Sequence, residues 1–134
     1  MVEDDIAALI ATDGNGTVGG NVFIGPLPAS PDLAVSVSPT VGPPPEYVYG
    51  EVDIAIEKPR VQVRVRGEER DYDAPRTLME QIYRGLSRRG AFTVNSTRYL
   101  DLTPLQAPFV LGQDDTGRWI FAVNFEAWKE VVAL

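Results

Sequence analysis

The chain has 134 residues, 44% of them hydrophobic and 23% charged, and 12 Lys and Arg against 19 Asp and Glu leave a formal net charge of -7. This is the size and composition of one globular domain that buries a sizeable core without staples. It has no Cys and no His, which excludes disulfide scaffolds, Cys/His zinc sites, thiol nucleophiles and any triad or proton relay built on imidazole.

The first five residues, Met1-Val2-Glu3-Asp4-Asp5, are acidic where a secretion signal would be basic and then apolar. No stretch approaches the roughly 18 apolar residues of a membrane-spanning helix, so neither membrane insertion nor export is expected. Ile6, Leu9 and Ile10 follow at i, i+3, i+4 spacing behind acids suited to a helix N-terminus. A short helix is therefore predicted, ended by Asp13-Gly14-Asn15-Gly16. Five Gly in residues 14–25 and seven Pro in residues 26–45 mark a loop-rich region over about 14–50, with short strands at about 21–25 and 33–38. Pro43, Pro44 and Pro45, followed by Glu46 and Tyr47, read as a stiff extended loop and not as a core element.

The clearest strand is Arg60 to Gly67, where Val61, Val63 and Val65 alternate with Arg60, Gln62, Arg64 and Arg66. Asp71 or Asp73 suits the cap of a second helix with Pro75 in its first turn; Leu78, Met79, Ile82, Tyr83 and Leu86 form its apolar stripe, and Gly90 stops it. Strands follow at Ala91–Val94, from Tyr99 onward, and at Trp119–Phe125, with a turn at Gln113–Gly117 and Pro104 and Pro108 confining the segment between them to an edge. The pattern predicts one α+β domain over residues 1–134, a small and mostly antiparallel sheet with two helices packed on one face.

Charge is segregated along the chain. Residues 1–57 hold nine acids and no base, residues 58–98 hold ten bases and five acids, and residues 99–134 hold two bases and five acids. An acidic chain is poorly suited to gripping nucleic acid. The basic block is nearly all Arg, which favours forked pairing with carboxylates, either within the domain or between the unlike surfaces of two subunits.

Catalytic and ligand motifs fail on context. Gly14-Asn15-Gly16-Thr17-Val18-Gly19 has the spacing of a dinucleotide loop, but a helix precedes it and Pro26 and Pro28 preclude the helix that should follow. Asp13 and Asn15 start like a calcium loop, but Val18 and Ile24 stand where its Gly and Glu belong. Asp115-Thr116-Gly117 is the triplet of dimeric aspartic proteases, yet Arg118 beside it favours ionised carboxylates over a shared proton, and a hairpin turn accounts for it. The reading is of a non-enzyme with no catalytic, cofactor-binding or metal-binding residues.

Pro59 to Gly67 resembles the central strand of a family of phage minor capsid proteins that act at the head–tail junction. Leu105 to Gly112, Asp114, Gly117-Arg118 and Val123-Asn124-Phe125 resemble its carboxyl-terminal signature: a Gln-x-Pro turn, Leu-Gly-x-Asp, Gly-Arg and a closing Asn-Phe strand. Phe23 to Pro28 fits its early strand-to-loop passage, and the resemblance spans roughly residues 1–128. It implies a tail terminator of a long-tailed phage: a small α+β protein, assembled in the host cytoplasm into a ring, typically a hexamer, that caps the tail tube, stops its growth and meets the head connector. Its partners would be itself, the tube protein and the connector, with DNA only as passing cargo and no membrane. The family brings no catalytic residues. Arg60, Arg64, Arg66, Pro43, Pro44, Pro45 and Tyr47 are the expected subunit or partner contacts. The competing readings are a head-completion or stopper protein, a dimeric aspartic protease using Asp115, and a small adaptor using the proline-rich loop.

Overall fold

The computed structural model describes residues 1–42, 46–47, 54–87 and 89–132. The chain runs α1 (Val2–Thr12), β1 (Val22–Ile24), β2 (Ala34–Thr40), β3 (Glu46–Tyr47), β4 (Ile54–Glu57), β5 (Arg60–Glu69), α2 (Asp73–Ser87), β6 (Phe92–Val94), β7 (Thr97–Pro104), β8 (Phe109–Gln113) and β9 (Arg118–Val132). This is the expected α+β class: one sheet in which only β1 and β2 pair in parallel, with both helices packed into one core. None of the described helices is long and apolar enough to cross a membrane.

β9 is the spine. One edge of its lower half pairs with β5 and the other with β8; in its upper half, β4 replaces β5 and β7 replaces β8. Period-two alternation makes Val61, Val63 and Val65 stand directly opposite Phe125, Val123 and Phe121, and all six face the helices as buried core. β2 continues the layer, with Val37 against Val63 and Val35 against Val65.

The helices cover that layer with the stripes their spacing predicts. α1 buries Ile6, Leu9 and Ile10. In α2, Pro75, Met79, Ile82 and Leu86 are buried, whereas Leu78 and Tyr83 reach the core only partly. Of the two candidate caps it is Asp71 whose Oδ1 accepts from the Ala74 N–H, at 3.3 Å. In the first turn of α1, Asp5 is buried and accepts hydrogen bonds from the Tyr99 hydroxyl and from Asn95 Nδ2. Burial, and then the Asp5 carboxylate, push the Tyr99 phenol up from its ordinary value, so it acts purely as a donor.

The predicted strand at Trp119–Phe125 is only half of β9, which runs on to Val132, and β4 had no counterpart in the sequence reading. After Phe125 the alternation weakens: Ala127 is still core, but Lys129 interrupts its face and Glu126 and Glu130 flank Trp128 on the other. Pairing to β7 as far as Lys129, and to β4 from Lys129 to Val132, keeps that half extended. Pro43, Pro44 and Pro45 lie outside the described residues; Tyr47, expected in a loop, belongs to β3.

α2 presses on β5 at Gly67, which lies within a register shift between Arg66 and Glu69. A Cβ there would stand 2.5 Å from Pro75 Cγ and 2.8 Å from Cδ. Gly67→Ala should cost about 1–3 kcal/mol by forcing the helix off the sheet, seen as a lowered thermal midpoint; an unchanged midpoint would show that the contact is not tight. Tyr99→Phe, which leaves the buried Asp5 short of a donor, should cost a similar ~1–3 kcal/mol in denaturant unfolding, whereas a neutral result would mean that Asp5 is satisfied without it.

Candidate assembly surface

The polar residues of β5 share the face of the sheet opposite the helices, and the tertiary structure gives its three arginines three different environments. Arg60 is paired with Glu126 at 3.0 Å, and Glu126 also accepts from Trp128 Nε1 at 3.1 Å. The Lys58 ammonium lies 4.3 Å above the Trp128 ring. Arg64 is exposed, and its Nε donates to Gln62 Oε1 at 2.6 Å. Its cross-strand neighbours are Ser36 and Ala122, side chains too short to cover it.

Arg66 departs from the solvent-facing position that alternation predicts. It is 3% exposed. The loop between β1 and β2 folds back over it, and the guanidinium donates to Pro31 O at 2.7 Å and Asp32 O at 3.2 Å. Burial, followed by the nearby Arg118 charge, lowers its pKa from the ordinary value, against the pull of Asp114 and Asp32. The loop-capping contact is of a kind that strand periodicity does not encode, because its acceptors lie some 34 residues away in sequence.

Arg118 clamps the same loop from the β8–β9 turn. It donates to Ala29 O at 2.8 Å and Asp32 Oδ1 at 3.1 Å, and its Nε donates to Asp114 Oδ2 at 2.6 Å. The Asp-Thr-Gly triplet sits in this turn: Asp114, one residue before it, accepts from the N–H groups of Thr116 and Arg118 and from Thr116 Oγ1, while Asp115 is exposed. The triplet is thus a hairpin turn, as its neighbours imply. Partial desolvation works against the Asp114 charge, but the hydrogen bonds from Arg118 and Thr116 outweigh it and hold the carboxyl well below the usual carboxylate range.

Gly14 to Gly19 forms the passage from α1 to β1, with no helix after it. Gln106 of the Gln-x-Pro turn is tied to β9: its Oε1 accepts from the Asn124 N–H at 3.3 Å, while the Leu105 N–H donates to Asn124 O at 2.8 Å.

A groove of about 400 Å3, which the sequence reading did not find, runs between α2 and β8. Met79 and Phe121, both buried, form its floor. Tyr72, Arg76 and Tyr83 line the helix wall and Pro108 to Val110 the other. The only sequence signal for it is the aromatic and basic residues on α2 beside the apolar stripe.

The family model described as "Bacteriophage tail terminator protein" matches residues 9–131. The chain belongs to the bacteriophage tail terminator family. No curated protein matches it. Among solved structures, a chain of the "Virion of native gene transfer agent (GTA) particle" shares the fold, with a TM-score of 0.59 and 16% identity, over 93% of this chain and 84% of that one. The terminator is accordingly a structural protein of the phage virion, and the resemblance read from Pro59–Gly67 and Leu105–Phe125 is borne out.

The turn clamp has a pH signature. Because the folded state depresses the Asp114 pKa, its stabilisation is complete above the ordinary carboxylate value of 3.8 and is lost as pH falls through the folded value. Asp114→Asn should therefore lower the unfolding midpoint at pH 7, and the gap from the parent should narrow as pH falls below about 4. A gap that is constant with pH would remove the charge from the explanation.

Proposed function

We propose that this terminator assembles as a ring of its own copies, a hexamer, on the end of the tail tube, stops tube growth and offers its opposite surface to the head connector. Assembly takes place in the host cytoplasm, DNA later passes through the channel, and the protein has no catalytic role. The reading rests on family membership, and the observation that carries the ring is charge segregation: nine acids without a base in residues 1–57, followed by the arginine-rich block. A ring requires a heterologous interface in which one patch meets a different patch of the next subunit, and a chain with one acidic and one basic block has unlike charges to offer the two. A net acidic ring also suits a channel that DNA must traverse without adhering.

Within this reading Arg64 is the arginine of β5 that meets a partner, since it stands exposed on the open face. Arg60 is held by Glu126, and Arg66 secures the loop between β1 and β2. Pro43, Pro44, Pro45 and Tyr47 reach a neighbour or the tube. Purified protein added to assembled tail tubes should appear as caps on tube ends in negative-stain images. Arg64→Glu, at an exposed position, should keep its thermal midpoint and lower the capped fraction by about tenfold at limiting protein, the effect of ~1.4 kcal/mol at an interface charge. Capping by the variant at wild-type concentrations would remove Arg64 from the interface, and bare tube ends with the wild type would refute the capping role itself.

A further inference from the structure

The first turn of α1 carries a carboxylate that the fold buries and does not satisfy. Glu3 is 8% exposed and its Oε2 is enclosed without a donor; among the described residues its carboxylate forms no hydrogen bond or ion pair. Asp5, two residues on, has Tyr99 and Asn95 as donors. A buried charge with no partner is costly, and its counter-charge has to come from somewhere.

Glu3 faces a cleft of about 220 Å3 enclosed by the start of α1, the end of β2, the turn between β4 and β5, and β9. Two of the cations around it are already committed: Arg60 pairs with Glu126 at 3.0 Å, and the amino group of Met1 with Asp4 at 3.6 Å. Glu3, Glu57 and Lys129 remain on the walls, and none of the three has an ion-pair partner among the described residues. The open charge is therefore net negative, and the cleft suits a cation. Two carboxylates beside an ammonium are too few oxygens for a calcium or magnesium ion, and no cluster of three metal-ligating side chains exists among the described residues. A guanidinium fits better, because its planar fork can reach two carboxylates at once.

The chain carries a guanidinium placed to enter such a cleft. Arg64 stands on the open sheet face between the short side chains of Ser36 and Ala122. Only its Nε is engaged, by Gln62, which leaves both terminal nitrogens without a partner among the described residues. It cannot serve its own cleft. Glu57 and Arg64 lie opposite Lys129 and Ala122 of β9, seven residues or about 23 Å apart along that strand.

We propose that the Glu3–Glu57 cleft receives Arg64 of a second copy of this chain, its terminal nitrogens donating to the two carboxylates. Cleft and arginine are different patches of one chain, so the contact is heterologous, passes from copy to copy and closes when the rotation permits. The inference rests on the self-assembly proposed above and gives Arg64 its counterpart.

The chain has no cysteine, so an engineered disulfide reports the contact without background. Two full-length variants, Glu57→Cys and Arg64→Cys, are mixed in equal amounts, added to tail tubes and oxidised. The mixture should give a disulfide-linked heterodimer, whereas each variant alone should stay unlinked; a bridge needs Cα atoms within about 7 Å. Glu57→Arg added to Arg64→Glu should recover most of the tenfold capping loss expected of Arg64→Glu alone. Glu3→Met removes the unpaired charge, so it should keep or raise the thermal midpoint of the free subunit while weakening capping about tenfold. No heterodimer, homodimers from either variant alone, a double reversal no better than Arg64→Glu, or normal capping by Glu3→Met would each overturn the assignment. These failures are separable from failure of the terminator reading: wild-type caps with the wrong linkage sink only the cleft, whereas a wild type that neither caps tubes nor self-associates sinks both.

Discussion

The fold depends on a single long strand that is paired on both edges along most of its length. β9 is 15 residues long and pairs successively with four strands, two on each side. Its lower half carries the core through the Val61–Phe125, Val63–Val123 and Val65–Phe121 pairs. Its upper half adds only Ala127 to the core, and it holds its shape through backbone pairing to β7 as far as Lys129 and to β4 from Lys129 to Val132. Disturbing the lower half removes the layer on which α1 and α2 rest, while disturbing the upper half releases the platform of β3 and β4.

Around this spine, several arginines hold the domain together. Arg66 and Arg118 converge on the segment Ala29–Asp32 from two strands and fix a loop that has few apolar contacts of its own. The guanidinium suits this task because it presents several donors in a rigid fork and tolerates burial while charged. The basic block in the sequence is therefore a mixture: part of it is consumed in holding the domain together, and part remains on the surface. Charge counting along the chain overstates what is available to a partner, and side-chain partners define the remainder.

Family membership and geometry carry different weights. Membership identifies a structural protein of the virion. The geometry adds where the described residues leave groups open, namely Arg64 exposed on the sheet face, the outer edge of β8 and the guanidiniums of Arg76 and Arg84 on α2. A structural protein is defined by such unspent contacts in the way an enzyme is defined by a perturbed acid or base, and they direct attention away from motifs such as Asp115-Thr116-Gly117, whose neighbouring Asp114 closes the hairpin.

The sequence by itself determined the elements whose signal is periodic and local. The valines of β5 alternate because one sheet face is buried, and the stripe of α2 repeats because one helix face is. The turns at Asp13 and Asp114 carry the residues that satisfy turn geometry, and the short motifs of the carboxyl-terminal third pointed to the terminator family. What only the tertiary structure decided depends on partners distant in sequence. β4 and the second half of β9 have no strong pattern of their own and are strands because each pairs with the other. Arg66 is buried because a loop that ends more than 30 residues before it folds back over its strand. The α2–β8 groove arises where two elements with separate and unremarkable sequences come to lie side by side. Alternation fixes which face of a strand a residue occupies, but what covers that face is set by the packing of the whole chain.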